Sequence, residues 1–491
     1  MVQLFFTGFC TALVLMGLAW KWNTVDLAAQ VAHGWLLAAL VSCVLALLQF
    51  LDLAAELAPW VNPSQAGEAF ANLRQRNQFA SLTNMGLAAL VCVVSWQNLR
   101  GVTQVALSKA NPWWPLFAAI LLGAGNAASS SRTGLLQLAV LTLAIWTWGR
   151  IRDPLVLRVF VCTYTSYVVA TLLLPMLIGA DFGEGGMISR LRLDDQACSS
   201  RLILWRNVIE LIALRPLAGW GWGELDYAHF VTLYPAGTQG RFCEILDNAH
   251  NLPLHLAVEL GVPLALMVGG LFGWLAIRAR PWAERDATRQ MAWGVLLIIG
   301  LHSLLEYPLW YGPFQVAVCV SLALLWLVPP CLSKISGKES LPTFFNAAVG
   351  AGASTVGAGR RIALVGVAIV CLAAVSYASW DYHRVMQVYL PPADRSPQYR
   401  HNTLERISNT WLFADQVRFA ELTTTPLTPQ NAAAINAMAL EVLHFSPEAR
   451  VVEKLIRSAR MLGRDDEARY FEARYEAAFP VAYQRWRREN G

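Results

Sequence analysis

The chain alternates apolar blocks about twenty residues long with short polar breaks, and that spacing constrains the fold more than any other feature. About twenty residues of helix cross the ~30 Å of hydrocarbon in a bilayer. Blocks near 2–20, 30–51, 79–96, 113–131, 133–149, 154–178, 254–277, 291–308, 312–328 and 362–379 give about ten expected spans. Composition points the same way: 56% of the 491 residues are hydrophobic and 14% charged, about half the charge of an ordinary soluble protein. A soluble globular enzyme is excluded. The expected fold is an all-α polytopic membrane protein whose partner is the lipid bilayer. The net charge of +5 reflects basic loops, so no nucleic acid partner is expected.

Lys and Arg place the loops. Arg278, Arg280, Arg285 and Arg289, the pair Arg150 and Arg152, and Lys334, Lys338, Arg360 and Arg361 assign three loops to the cytoplasm by the positive-inside rule. Alternation then puts 52–78, the large loop 179–253, the turn at 309–311 and the C-terminal segment outside, in a bacterial periplasm. Val2–Trp20 lacks a basic leader and a cleavage site, so it reads as a retained helix. An outside start is unusual: either this helix is misread or the natural chain begins further upstream with another span.

Charge is withheld from the spans and gathered at the end. Residues 380–491 hold 15 Lys+Arg and 14 Asp+Glu of the chain's 71 charges, which predicts a soluble helical domain after a membrane domain at 1–379. Its stretch VVEKLIRSARMLGRDDEARYFEARYEAAF resembles one helix–turn–helix unit of the tetratricopeptide kind. Seven of the nine cysteines lie in or at the ends of apolar blocks. Cys198 and Cys243 lie in the large outer loop, where an oxidising compartment favours a disulfide over two unpaired thiols.

Polar groups at membrane depth are costly unless paired or hydrated, so they mark candidate sites. Four clusters fall on the outer face. ANLRQRNQFASL at 71–82 brings Arg74, Gln75, Arg76 and Asn77 together, read either as a basic anchor or as an anion site. GAGNAASSSRTGLLQL at 123–138 sets Arg132 beside three hydroxyls, suited to phosphate because guanidinium donates in a fork. The loop from Arg190 to Asn251 contains Arg201, Trp205, Arg206, Arg215, Trp220, Trp222 and Glu224, with 201–214 expected as an interfacial helix. It ends in Asp247, His250 and Asn251, where a histidine suits proton transfer near neutral pH and Asp247 is spaced to orient it. LHSLLEYPLWYGPF at 301–314 adds His302, Glu306 and Tyr307. No metal-ligand spacing and no phosphate-binding loop motif is visible, so neither metal nor cofactor is expected.

The segments NLRQRNQFA, SSSR-T-G-L-L, S-S-R-L-I-L-W, P-L-A-G-W-G-W-G-E, D-N-A-H-N-L-P-L-H-L-A-V-E-L-G-V-P and H-S-L-L-E-Y-P-L-W-Y together resemble the bacterial O-antigen ligase and polymerase superfamily. Within it they are most similar to the PglL-type protein O-oligosaccharyltransferases. The likeness is specific over about 30–330 and looser over the C-terminal domain. It implies a GT-C-like inner-membrane helical bundle that takes a glycan from undecaprenyl diphosphate on the periplasmic side. The acceptor it implies is a pilin-like protein hydroxyl, lipid A core or another glycan, with no nucleotide sugar or metal. It places the family's essential histidine on His250, its loop arginine on Arg201, its turn arginine on Arg132 and its N-L-R-Q motif on Asn72–Gln75. Family members carry more sequence before the point where this chain starts.

The residues then read as a direct displacement. Arg201 and Arg132, with Arg74 or Arg206, bind the diphosphate. His250, oriented by Asp247 or assisted by Glu306, takes the acceptor proton, while Gln75, Asn251, His302 and Tyr307 complete the substrate site. A flippase or secondary transporter is the rival from another class, disfavoured because the charges gather at one face and no inverted repeat is visible.

Overall fold

The computed structural model of the chain describes residues 24–58, 60–100, 113–179, 198, 200–328 and 358–490. The expected span at 2–20 lies outside the described residues, as do Lys334 and Lys338. Every regular element among the described residues is helical. The protein is a multi-pass helical membrane protein: five helices are long and apolar enough to cross a bilayer, and shorter apolar helices lie among them.

The chain divides into two compact units. Unit one takes residues 1–194 and 274–369, and unit two takes 195–273 and 370–491. In unit one, α1 (Thr24–Phe50), α2 (Arg76–Arg100), α3 (Trp114–Ala128), α4 (Arg132–Thr147) and α5 (Pro154–Leu177) pack with α10 (Ala287–Ser303) and α11 (Gly312–Leu327). The centre of this bundle is α2, whose apolar stretch Arg76–Trp96 is 89% buried. Small residues let its neighbours close up. A Cβ on Gly123 of α3 would sit 2.3 Å from the Thr163 carbonyl oxygen of α5, so only glycine permits that approach.

The expected span at 254–277 is broken. It forms α8 (Leu252–Leu260) and α9 (Val262–Ala279), joined at Gly261 with φ +86°. The break exists because another segment docks there. Val262 N–H donates to Pro216 O at 2.8 Å, Trp220 N–H to Val258 O at 2.9 Å and Gly221 N–H to Glu259 O at 2.9 Å. A Cβ on Gly261 would lie 2.1 Å from Leu217 O, and one on Gly219 would lie 2.3 Å from Glu259 O. Hydrophobic continuity hides such a break, because unwinding changes backbone pairing without changing side-chain polarity.

In unit two, α6 (Arg201–Leu214), α7 (Leu225–Val231) and α8 surround a core of Leu204, Val208, Leu211, Phe242, Leu246 and Val258, each large apolar side chain contributing about 1.5–3 kcal/mol by burial. After α12 (Ala358–Met386) come α13 (Thr403–Ile407), α14 (Ala414–Thr424), α15 (Ala432–Phe445), α16 (Ala449–Met461), α17 (Asp465–Ala478) and α18 (Pro480–Asn490). The turn of the expected helix–turn–helix falls at Gly463, φ +71°, between α16 and α17. Phe230 of α7 is buried in the same core as Phe419, Leu443, Leu455 and Tyr475. The segment 195–251 and the C-terminal helices therefore share one unit.

Candidate functional site

In unit one the polar residues of three clusters meet at one end of α2. Asn77 and Ser81 stand one turn apart on that helix and face a second pair four apart, His302 and Glu306. Asn77 Nδ2 donates to Glu306 Oε1 at 3.1 Å, and Ser81 Oγ lies 2.9 Å from His302 Nδ1. His302 is fully buried and Glu306 is 5% exposed. Asn77 and Ser81 share one face of α2, and the Glu306 N–H bond to His302 O at 2.8 Å holds the second pair at matching spacing just past the end of α10.

The network runs on into the bundle. Gln137 Nε2 donates to Ser81 Oγ at 2.8 Å and to Ile298 O at 3.1 Å. Asn84 Nδ2 donates to Gly134 O at 3.0 Å, and Asn126 Nδ2 donates to Asn84 Oδ1 at 3.2 Å. These contacts relieve the cost of holding amides among apolar helices.

Arg132 occupies the first turn of α4 and is exposed. Ser130 before it has φ +50°, and Ser131 caps the helix by accepting Gly134 N–H at 2.9 Å. The capped start leaves backbone N–H groups and an arginine at the positive end of a helix, a setting suited to an anion. Arg74 lies over the Tyr311 ring at 5.8 Å, and Tyr307 stacks on Tyr311 at 5.7 Å. Arg76 pairs with Glu68 at 2.6 Å. Gln75 starts α2 by accepting Phe79 N–H through its carbonyl at 3.2 Å. At the other end of α10, Arg289 pairs with the buried Glu284 at 2.5 Å and Arg150 donates to Gln290 at 2.6 Å, so the basic loops and the His302–Glu306 cluster sit at opposite ends of one helix.

Unit two carries the remaining expected residues. Arg201 opens α6 behind its cap, Ser200. Arg206 pairs with Glu210 at 3.2 Å on an exposed face. Cys198 and Cys243 are joined by a disulfide, and Cys243 N–H donates to Cys198 O at 3.2 Å. The bridge fastens the entry of α6 to the segment that leads to His250.

His250 holds a left-handed backbone, φ +50°, an uncommon conformation for a residue with a Cβ. Three bonds hold it there. Its N–H donates to Asn248 Oδ1 at 2.9 Å, Trp205 Nε1 donates to the preceding Ala249 O at 3.1 Å, and Asn251 caps α8 by accepting Leu254 N–H at 3.0 Å. Trp205 is one turn beyond Arg201 on α6, so this indole bond fixes the arginine's helix against the histidine's junction. Asp247 is exposed beside it.

Several polar residues of unit two were not singled out from sequence. Asn207 donates to Gly240 O at 2.9 Å and accepts Phe242 N–H at 2.8 Å. Arg241 is buried and donates to Thr232 O at 2.8 Å and His229 O at 2.7 Å. Burial and the adjacent Arg241 push the His229 imidazole down to about 3, and burial pushes Asp226 up to about 7. His255 and Glu259, 3% and 1% exposed, pair at 3.5 Å on α8. Their i,i+4 spacing was the available signal.

Comparison with known proteins follows these motifs. The family described as "Protein glycosylation ligase" matches residues 69–91, which contain NLRQRNQFA. "O-Antigen ligase" matches 117–269, which contain Arg132, Arg201 and His250. "Virulence factor membrane-bound polymerase, C-terminal" matches 290–490. A general O-oligosaccharyltransferase of Acinetobacter baylyi is 24% identical over 306 residues, 60% of this chain and 49% of that protein. A ComP-specific O-oligosaccharyltransferase of the same organism is 24% identical over 258 residues, 52% of this chain and 43% of that protein. The matched region thus spans about half the length of these curated relatives or less. No solved structure matches the chain. Region by region, the chain is similar to the O-antigen ligase, membrane-bound polymerase and protein glycosylation ligase families and to protein O-oligosaccharyltransferases.

Proposed function

We propose that this protein is a glycosyltransferase of the inner membrane that moves a preassembled glycan from undecaprenyl diphosphate to a Ser or Thr hydroxyl of a periplasmic acceptor protein such as a pilin. The observation that carries this reading is the His250 junction: a histidine held in a strained backbone at a capped helix start and tied through Trp205 to the helix that Arg201 opens. A proton acceptor and a diphosphate ligand on one rigid frame are what a direct displacement needs.

In this mechanism Arg201, helped by Arg206, binds the diphosphate and stabilises the charge that develops on it, and Arg132 and Arg74 are the anion-binding candidates of unit one. His250, oriented by Asp247, removes the hydroxyl proton of the acceptor, and Glu306 is the acidic candidate of unit one. The acceptor oxygen bonds to the anomeric carbon as the bond from that carbon to the phosphate oxygen breaks, and undecaprenyl diphosphate leaves. Asn251 in unit two, and Gln75, His302 and Tyr307 in unit one, are the further substrate-binding candidates. This reading calls for no nucleotide sugar and no metal.

A second reading, transfer to lipid A core or to a growing glycan, is favoured by the ligase and polymerase families that match 117–269 and 290–490. Membranes containing the protein, a lipid-linked glycan and both acceptor types separate the two. Sugar on the protein acceptor supports the first reading, and sugar on lipid A core or a lengthened lipid-linked glycan replaces it.

A further inference from the structure

Asn77 joins three elements of unit one through one amide. Its Oδ1 accepts from Ser131 Oγ at 2.6 Å, and its Nδ2 donates to Glu306 Oε1 at 3.1 Å. The amide's orientation follows from the cap beside it. Ser131 Oγ already accepts Gly134 N–H at 2.9 Å, so its hydroxyl hydrogen needs an acceptor, which Oδ1 supplies. That leaves the amino group of Asn77 facing Glu306. A buried carboxyl opposite a donor is held as an acceptor.

We propose that Asn77 is a positioning residue for glycan transfer. Through Ser131 it sets the start of α4, where Arg132 follows, and through its amino group it holds a Glu306 carboxyl oxygen as an aimed acceptor. This inference rests on the transferase reading above. At this end of the surrounding elements the other ionisable groups are Arg74 and Arg76 of the α2 region, with Glu68 paired to Arg76, Arg132 of α4, His302 of α10, and Tyr307 and Tyr311 of the following turn. Among the carboxylates, Glu306 is the one that Asn77 contacts.

Asn77→Asp tests the role because it keeps the shape and turns the donor into an acceptor. Two carboxyls then face each other in a buried site and must share a proton. The readout is loss of an undecaprenyl-diphosphate-linked oligosaccharide, whichever acceptor receives the sugar. At about pH 8 the variant should be roughly 10- to 100-fold slower than wild type, the scale of one lost charge-assisted hydrogen bond. The deficit should shrink as pH falls toward about 5.5, where the shared proton is supplied. Asn77→Ala should show a similar deficit that does not change with pH. In the infrared, Asn77→Asp at about pH 5.5 should show a protonated-carboxyl band that disappears when Glu306→Gln is added.

Equal deficits for Asp and Ala at every pH, or wild-type rates for Asp, overturn the proposal. If Asn77→Asp fails to accumulate, an unchanged rate in Asn77→Ala overturns it too. A wild-type chain that consumes no donor overturns the transferase reading and this role together. Consumption with the sugar on lipid overturns only the protein-acceptor half and leaves Asn77 in place.

Discussion

Replacing His250 with asparagine separates the imidazole from the backbone that carries it. The residue has φ +50°, where alanine costs about 1–2 kcal/mol but asparagine is enriched. His250→Ala therefore mixes a chemical loss with a conformational one, whereas His250→Asn keeps the backbone cheap and removes the base. The bonds that define the junction use the backbone N–H of 250 and the carbonyl of 249, so both survive the substitution. A positioned general base contributes about 10²–10⁴-fold, or roughly 3–5 kcal/mol of barrier. Reconstituted protein with a lipid-linked glycan and an acceptor, followed by a mobility shift of the glycosylated product, reads this directly. His250→Asn should lose activity by that factor while unfolding at the wild-type temperature. If it retains more than about a tenth of wild-type activity, His250 is not the base, and an inactive alanine variant beside an active asparagine variant would assign the residue to backbone geometry alone.

Other predictions concern unit two. Removing the disulfide between Cys198 and Cys243, 45 residues apart, should cost about 4 kcal/mol on the chain-entropy relation, seen as faster hydrogen exchange over α6 and 240–251; unchanged protection shows that packing alone holds the segment. Asp226 and His229 should oppose each other with pH. Asp226, raised to about 7, adds stability that is full below about pH 4 and lost as pH rises through 7, whereas His229, lowered to about 3, adds stability present above about 6.5 and lost as pH falls toward 3. Asp226→Asn should therefore leave a unit that only loosens on acidification, measured by exchange of α7, and an unchanged profile refutes the Asp226 assignment. Gly261→Ala should destabilise the junction by more than about 2 kcal/mol, because its Cβ would meet Leu217 O at 2.1 Å and φ is +86°; a wild-type melting temperature contradicts the close docking.

What sequence could reveal follows from what each feature depends on. Helix positions depend on local apolar runs, so α1, α2, α5, α11 and α12 could be read as blocks. The break at Gly261 depends on residues 216–221, forty positions away, and only a glycine inside LHLAVELGVPLALMV marked it. Asn77, Ser131 and the His302–Glu306 pair belonged to three separate clusters, but the contact between them joins residues 229 apart and no local pattern encodes it. His229 on the seven-residue α7 and Arg241 beyond it lie in a stretch without periodicity, where burial leaves no sequence trace. Cys198 and Cys243 were visible because they alone fall outside the apolar blocks. The sharing of one core by Phe230 and the C-terminal helices was hidden because a seven-residue helix carries too little pattern to show which core it joins.

The central claim is the identity of the reaction. Mass spectrometry of acceptor protein, lipopolysaccharide and lipid-linked glycan, from cells with the wild-type chain and with His250→Asn, tests it most directly. Glycan mass on Ser or Thr of the acceptor protein, absent in the variant, is the predicted result. Glycan found instead on lipopolysaccharide or as longer lipid-linked chains, or present equally in both strains, contradicts it.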